Sequence, residues 1–276
     1  MSHSIYILPD GTRIDVGDGM YDFPLSIDLK ITNFCKTGCP WCHESSDVNG
    51  RHSSVDQVLS KLSGLPKNTE IALGGGNPLE HPDLEKLIDG LIGMGYIVNM
   101  TVRDTDVPGM NLPRGITGLG ISITPGISPS SYLGKISSLD NIVFHLILGI
   151  NSIKDYREAQ KYSPRVLWLG FKDWGRNRGK QLPDLREIRR EIVQDLYYGR
   201  SGVLAFDNLA ITQLDLKSAF LKKEWDKFYL GQEFTSSMYV DAVEGKYSGF
   251  STSKDRISWN DISLIDYFRK YASSIE

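Results

Sequence analysis

Residues 25–43 of the chain read LSIDLKITNFCKTGCPWCH and contain all three cysteines of its 276 residues, Cys35, Cys39 and Cys42. The apolar run over residues 25–31 predicts a strand, and the cysteines follow it in one short loop. Thiols that served only in packing or in disulfides would not be gathered behind one strand. Clustered thiolates hold soft metals, and three of them leave one coordination position open. This stretch therefore predicts a metal or iron–sulfur site at the end of a strand.

The cysteine spacing resembles that of the radical SAM superfamily: C-x3-C-x2-C after a first strand, with an aromatic residue, Trp41, before the last cysteine. The resemblance implies that Cys35, Cys39 and Cys42 bind three irons of a [4Fe–4S] cluster. It further implies that the fourth iron binds S-adenosyl-L-methionine. An electron from a donor such as flavodoxin or ferredoxin would then cleave this cofactor to a 5′-deoxyadenosyl radical. The short gaps between the cysteines suit this chemistry, because one loop can wrap a compact cluster.

Two other classes of protein share parts of this pattern. Cys39 and Cys42 form a C-x-x-C pair, which would suit a thiol–disulfide oxidoreductase. Cys35, Cys39, Cys42 and His43 could instead bind zinc in a zinc-stabilised binding module, although adjacent ligands at positions 42 and 43 strain one tetrahedral site. A thiol–disulfide oxidoreductase would not require Cys35. A zinc-stabilised binding module would leave the glycine-rich loop described below unexplained.

Composition and charge indicate an ordinary globular protein. The chain is 40% hydrophobic and 24% charged, with a formal net charge of −3, so nothing global indicates binding to nucleic acid or to a membrane surface. No apolar run reaches the roughly 18–20 residues that cross a bilayer, and residues 1–5 carry no secretory signal. An odd number of clustered cysteines favours a reducing compartment. We therefore expect a cytoplasmic protein.

Strand-like and helix-like segments alternate along residues 25–206. About seven strands are separated by connections long enough for right-handed crossovers, which predicts an α/β fold with a mostly parallel sheet. The resemblance implies the same architecture, a partial (β/α) barrel of about six to seven strands. We expect a lead-in or hairpin over 1–24, turning at Asp10-Gly11, the barrel over 25–206, and a small α+β appendix over 207–276 that packs on the barrel.

The predicted strands are 25–33, 69–73, 96–102, 117–123, 141–150, 165–171 and 202–206. The predicted helices lie near 55–62, 84–92, 152–162, 183–198, 208–228 and 260–272, with a hairpin over 236–252.

A glycine run ends the second predicted strand, at Gly74, Gly75, Gly76, Asn77 and Pro78. Glycines let a backbone approach a ligand without Cβ atoms in the way. Radical SAM proteins have a Gly-Gly-Glu-Pro-like motif in this place, which implies that the loop binds the amino group of the methionine moiety. Asn77 stands where the family has an acidic residue. Its side-chain carbonyl can still accept from an ammonium group, but the negative charge is lost.

The resemblance implies further cofactor contacts at strand ends. Trp41 is expected beside the adenine, although a cover over the cluster is an equal role for it. Ile147 and Gly149, at the end of the fifth barrel strand, are expected to contact the same base. Ser122 is a candidate for the ribose or the carboxylate, with an ordinary turn role as the alternative.

Three residues are candidates for contact with the substrate: Lys172, Tyr239 and Asp241. Lys172 begins a basic segment, since residues 172–200 carry eight Lys or Arg and five Asp or Glu in a chain that is negative overall. A basic loop at the active face would bind an anionic small molecule, and a solvated loop is the alternative. Tyr239 and Asp241 lie in the predicted hairpin, which is expected either to line the substrate cavity or to extend the edge of the sheet.

Overall fold

The computed structural model describes residues 4–7, 13–16, 21–135, 140–200, 202–229, 231 and 234–272. Its first two strands, β1 (Ser4–Ile7) and β2 (Arg13–Val16), pair antiparallel as a separate two-stranded sheet. A hairpin was one of the two forms expected for this region. The turn predicted at Asp10-Gly11 lies outside the described residues.

Seven parallel strands follow in chain order. They are β3 (Ser26–Thr32), β4 (Glu70–Gly75), β5 (Ile97–Arg103), β6 (Gly118–Ser122), β7 (Ile142–Ile147), β8 (Arg165–Leu169) and β9 (Val203–Phe206). Each pairs with the next strand along the chain, so every connection is a crossover. All seven coincide with predicted strands and confirm the α/β fold with a mostly parallel sheet.

Helices occupy several of the crossovers and the C-terminal region. They are α1 (Val55–Leu62), α2 (Leu84–Gly93), α3 (Ile153–Gln160), α4 (Arg186–Tyr198), α5 (Asn208–Gln213), α6 (Lys222–Phe228) and α7 (Leu264–Ala272). The helix predicted over 183–198 begins later, at Arg186, where the Asp184 side chain accepts from the Arg186 N–H.

An eighth parallel strand, β10 (Ser237–Asp241), lies beside β3 rather than after β9. Two short strands, β11 (Lys246–Ser248) and β12 (Ile257–Ser258), continue from it antiparallel, so the predicted hairpin is present. The order across the sheet is β12-β11-β10-β3-β4-β5-β6-β7-β8-β9. The two end strands, β12 and β9, are far apart in this order, and the sheet is a partial barrel.

The inner and outer faces of the barrel differ in polarity. In β5, Val98, Met100 and Val102 are at most 3% exposed and belong to the hydrophobic core between sheet and helices. The alternate residues Asn99 and Thr101 line a cavity inside the barrel. Because strand side chains alternate between faces, the core is outside the sheet and the inner face is left for a ligand. Among the described residues, no helix is long and apolar enough to cross a membrane.

Candidate active site

A cavity of about 890 Å³ extends through the barrel to the carboxyl ends of the parallel strands. Binding sites of parallel α/β folds lie at this edge. Most residues predicted to bind cofactor or substrate line the cavity. They are Cys35, Cys39, Trp41, Cys42, Gly74, Gly75, Gly76, Asn77, Pro78, Ser122, Ile147, Lys172 and Tyr239. Gly149 and Asp241 are not among its lining residues.

The three cysteines are free thiols of intermediate exposure in the loop after β3. Backbone hydrogen bonds fold this loop on itself, from Cys35 N–H to the Asp47 carbonyl at 2.9 Å and from Cys42 N–H to the Cys39 carbonyl at 3.2 Å. The thiols therefore lie along one wall of the cavity instead of in the core.

The basic segment over residues 172–180 holds the cysteine loop. The Arg176 side chain donates to the carbonyls of Cys39 at 3.0 Å and Ser46 at 2.7 Å. Asn177 Nδ2 donates to the Trp41 carbonyl, and Lys180 Nζ to the Pro40 carbonyl, each at 2.9 Å. Arg176 and Lys180 thus bind backbone oxygens, so they give no support to the anion-binding role predicted for this segment.

Gly175 lets the basic segment approach the cysteine loop closely. It has a φ of +59°, and a Cβ there would lie 2.3 Å from the His43 carbonyl oxygen. Its neighbour Arg176 donates its backbone N–H to the Cys42 carbonyl at 3.0 Å. From the same segment Lys172 lines the cavity, and its Nζ donates to Ser251 Oγ at 2.9 Å.

Arg103, at the end of β5, contacts a predicted metal ligand. Its Nη1 lies 3.0 Å from Cys39 Sγ, and its Nε donates to Thr124 Oγ1 at 3.1 Å. Burial raises the pKa of the Cys39 thiol, and the Arg103 charge opposes this rise. The guanidinium also lies 5.5 Å from the ring centroid of Trp41, which was predicted to contact adenine.

The glycine loop packs against the start of the cysteine loop. Gly76 N–H donates to the Thr32 carbonyl at 2.7 Å, and Asn77 N–H to the Phe34 carbonyl at 2.9 Å. Gly75 has a φ of +113°, and a Cβ on it would lie 2.4 Å from the Thr32 oxygen. A Cβ on Gly74 would have no neighbour within 4 Å. Close approach between two loops explains Gly75, whereas Gly74 borders open space in the cavity.

Asn77 lines the cavity and caps the turn that follows the glycine loop. Its Oδ1 accepts from the Leu79 N–H at 3.1 Å and caps the short 3-10 turn Pro78–Glu80. Its Nδ2 donates to Asp106 Oδ2 at 3.3 Å. The carbonyl oxygen expected to accept from the cofactor thus has one backbone partner, and its second lone pair is left for a ligand.

The structure separates the two residues predicted to contact adenine from β7. Ile147 lines the cavity at the end of the strand. Gly149 belongs to the following turn with a φ of +76°, and a Cβ on it would lie 2.8 Å from Pro183 Cδ. The strand ends at Ile147, whose N–H donates to the Asn151 side chain. Gly149 lies against the segment before α4.

A buried ionic network joins the cysteine loop to β10. Lys30 Nζ contacts Glu44 at 2.7 Å and Asp241 at 3.2 Å, and Arg256 Nη1 contacts Asp241 at 2.8 Å. Tyr239 Oη donates to Glu44 at 3.1 Å. Burial favours the neutral form of Glu44, but its charged neighbours outweigh burial and lower its pKa. Asp241, at 1% exposure, is thus an ion-pair partner in the protein interior and not a group that faces the substrate.

Polar side chains inside the barrel were missed by the sequence analysis. Asp28, Asn99 and Thr101 project inward from β3 and β5, and His145 from β7. Burial raises the pKa of Asp28 and lowers that of His145 to about 4. The alternation of polar and apolar residues in β3 and β5 could have indicated Asp28, Asn99 and Thr101, since residues two apart share a face.

The family follows from a comparison with known proteins. Residues 29–161 match the model of the radical SAM superfamily, and this range holds the cysteine loop, the glycine loop and β4 to β7. Residues 29–161 are a radical SAM domain.

One curated protein is similar to part of this chain in sequence, and two solved structures are similar to it in fold. The 7-carboxy-7-deazaguanine synthase of Aquifex aeolicus (strain VF5) is 25% identical over 91 residues, which are 32% of this chain and 41% of that protein. Crystal structures of Streptococcus suis SuiB bound to the precursor peptide SuiA and bound to S-adenosylmethionine superpose with TM-scores of 0.62 and 0.61. Their identities are 13% and 14%, over 91% and 90% of this chain and 65% and 66% of SuiB. The chain thus spans less than two thirds of the length of each protein.

His43, the fourth ligand of the zinc alternative, contacts the neighbouring carboxylate Glu44. His43 Nε2 lies 3.5 Å from Glu44 Oε1, and burial together with the Lys172 charge lowers its pKa to about 3. Within the described part of the chain, no three His, Cys, Asp or Glu side chains are close enough to hold one metal ion. A [4Fe–4S] cluster has no such requirement, because each cysteine binds a different iron.

Proposed function

We propose that the chain is a radical SAM enzyme in which Cys35, Cys39 and Cys42 hold a [4Fe–4S] cluster at the mouth of the barrel. The observation that carries this proposal is the position of the three thiols on one wall of an 890 Å³ cavity, beside the glycine loop, in a radical SAM domain. The volume suits a cofactor with a small substrate, since small-molecule sites occupy about 300–1,000 Å³.

The donor set fits the cluster. Three thiolates are the ligands that iron–sulfur centres take. Arg176, Asn177 and Lys180 hold the loop through its carbonyls and not through its sulfur atoms. When bound, the cluster would transfer an electron to S-adenosyl-L-methionine and generate a 5′-deoxyadenosyl radical. The electron would come from a donor such as flavodoxin or ferredoxin.

The residues of the chain prepare the cavity for this chemistry. Arg176 and Asn177 fix the cysteine loop, and Arg103 places positive charge against Cys39. Gly74 leaves open space for the methionine end of the cofactor.

We propose that the substrate contacts Lys172 and Tyr239, the two catalytic candidates that line the cavity. Burial raises the pKa values of Asp28 and Asp207, and the nearby Lys172 charge opposes this rise. A purely anionic substrate would lie close to these carboxyl groups and would be repelled by their ionised forms. A polar substrate with an acceptor for Lys172 and a donor for Asp28 fits the wall better.

Anaerobic reconstitution tests the proposed function. The purified chain is incubated with iron and sulfide, and its metal content and its absorption and electron paramagnetic resonance spectra are measured. We expect one [4Fe–4S] cluster per chain, and formation of 5′-deoxyadenosine after addition of S-adenosylmethionine and dithionite. Cys35→Ala should lose most of the cluster.

Two outcomes would contradict this proposal. Full cluster loading without Cys35 would favour the dithiol alternative with Cys39 and Cys42. One tightly bound zinc and no iron would favour the zinc module.

A further inference from the structure

Asp28 is a carboxylate inside the barrel whose oxygens have no hydrogen bond. It projects from β3 into the cavity, where its side chain is exposed. Among the described residues, no group donates to its oxygens and no basic side chain lies within 4.0 Å of them. Asp28 lies four residues before Thr32, the last residue of β3, which is about 13 Å along a strand. It is therefore well below the cysteine loop and the glycine loop.

The charges around Asp28 are mainly negative. Burial raises the pKa of Asp28, the Lys172 charge opposes this rise, and the charges of Glu70 and Asp207 add to it. Lys172 Nζ donates to Ser251 Oγ and makes no close ion pair with Asp28 in the part of the chain that the structure describes. A carboxylate in this setting is costly to keep ionised, and a bound cation would reduce that cost.

The wall that faces Asp28 is polar and uncharged at neutral pH. β7 is separated from β3 by β4, β5 and β6, so the curved sheet turns their inner faces toward each other. His145 of β7 and Thr101 of β5 share the space over Gly120, where a Cβ would lie 2.7 Å from His145 Nε2 and 3.0 Å from Thr101 Oγ1. Burial lowers the pKa of His145 to about 4. The neutral ring does not repel a cation, and both side chains can accept from N–H groups.

The position of Asp28 favours a planar partner. Ala72 lies between Asp28 and Asn99 in the register of the sheet, and its small side chain leaves space beside the carboxylate. Because both oxygens of Asp28 can accept, a planar group with two N–H donors can bind them together, as a guanidinium binds a carboxylate. An alkylammonium group lacks this paired geometry.

We propose that Asp28 binds an amidine-like group of the substrate, that is, a planar carbon bearing two nitrogens with N–H donors, as in amidines and guanidines. This inference rests on the proposed function, since it describes the substrate of that enzyme. The substrate would extend from Asp28 toward the carboxyl edge of the sheet. The inner half of the cavity thus favours a charge opposite to the one that the basic segment suggested.

Three probes of nearly equal shape test this assignment: benzamidine, benzamide and benzoate. Each is titrated by ligand-observed NMR against the cluster-loaded chain with saturating S-adenosylmethionine, which keeps the probes out of the place of the cofactor, and against the chain without cluster. Charge-assisted hydrogen bonds predict that benzamidine binds about 10- to 100-fold more tightly than benzamide, and benzoate should bind most weakly. Asp28→Asn should weaken benzamidine to the affinity of benzamide and leave benzamide unchanged.

The matched control is Asp89→Asn, which removes the same charge from an exposed position on α2 and should leave all three affinities unchanged. Asp28→Asn should also keep or raise the free energy of unfolding in urea, because a carboxylate without a close partner is costly to bury. An unfolded Asp28→Asn variant would show a structural role and overturn the inference.

The wild type provides a second decision. Binding of benzamide or benzoate as tight as that of benzamidine would overturn the inference and leave the proposed function intact. A chain that takes up no cluster would contradict the proposed function alone, because the titration without cluster still measures binding at Asp28.

Discussion

At Gly74 and Gly75, adjacent positions of one strand end, an added methyl group would meet opposite surroundings. At Gly75 it would strike the Thr32 carbonyl in a backbone conformation with φ of +113° that L-residues rarely adopt. At Gly74 it would enter open space. Gly74 thus borders the cavity, and Gly75 lies where two loops contact each other.

We expect Gly75→Ala to destabilise the protein by roughly 1–3 kcal/mol, because a strained residue costs about this much, and to reduce cluster loading. Gly74→Ala should preserve both stability and cluster and weaken only the binding of S-adenosylmethionine. Urea unfolding, iron content and calorimetry measure the three effects. Unchanged stability of the Gly75 variant would contradict the assignment of this glycine to loop packing.

The residues that sequence patterns could reveal are those with a distinctive type and spacing. Cys35, Cys39 and Cys42 stand out in this way, and they line the cavity. Arg103 and Asp106 do not, because one is the last residue of a strand and the other lies in an aperiodic loop. Their proximity to Cys39 and Asn77 depends on how β4 and β5 align in the sheet.

At the scale of elements, the basic segment over residues 172–180 serves as a clamp on the cysteine loop. It reaches over from the end of β8, and Arg176 contacts three carbonyls of the loop, those of Cys39, Ser45 and Ser46. Its charge count alone could not distinguish this role from ligand binding or solvation. The partners are backbone carbonyls about 130 residues away in sequence, and carbonyls leave no signal in sequence composition.

We predict that Arg176→Ala increases hydrogen exchange in residues 35–46 and costs roughly 1.5–3 kcal/mol, the range for hydrogen bonds to charged groups. Arg178→Ala is the matched control, since Arg178 is exposed, lies in the same segment and carries the same charge. Mass-spectrometric hydrogen exchange and thermal unfolding compare the two. Equal protection of the loop in both variants would show that the clamp has no stabilising role.

At the scale of the whole molecule, the C-terminal region completes the sheet. β10 pairs with β3, and Asp241 contacts Lys30 across the two strands. The sequence predicted both a hairpin and a final helix here but not the neighbour of the hairpin. A strand pattern indicates which face is buried and carries no information about a partner 211 residues away.

We expect a chain ending at residue 235 to fail to fold cooperatively. Met238, Leu264 and Phe268, each at most 3% exposed, belong to the missing part, and burial of each contributes about 1.5–3 kcal/mol. Total stabilities are only about 5–15 kcal/mol. Circular dichroism and urea unfolding measure the loss. Co-expression of residues 236–276 as a separate chain should restore folding, and a stable, cluster-loaded truncation would contradict this prediction.

The pairing of β3 with β10 also has a consequence for biosynthesis. Ribosomes add about 5–20 residues per second, so Asp241 follows Lys30, 211 residues earlier, by an interval on the order of tens of seconds. During that time the nascent chain carries the cysteine loop next to an unpaired strand edge, which is a site for aggregation. Glu44 then has Lys30 but lacks the Tyr239 hydroxyl. This order of emergence favours delivery of iron and sulfide after β10 has left the ribosome. It also favours binding of chaperones to the early strands until that time.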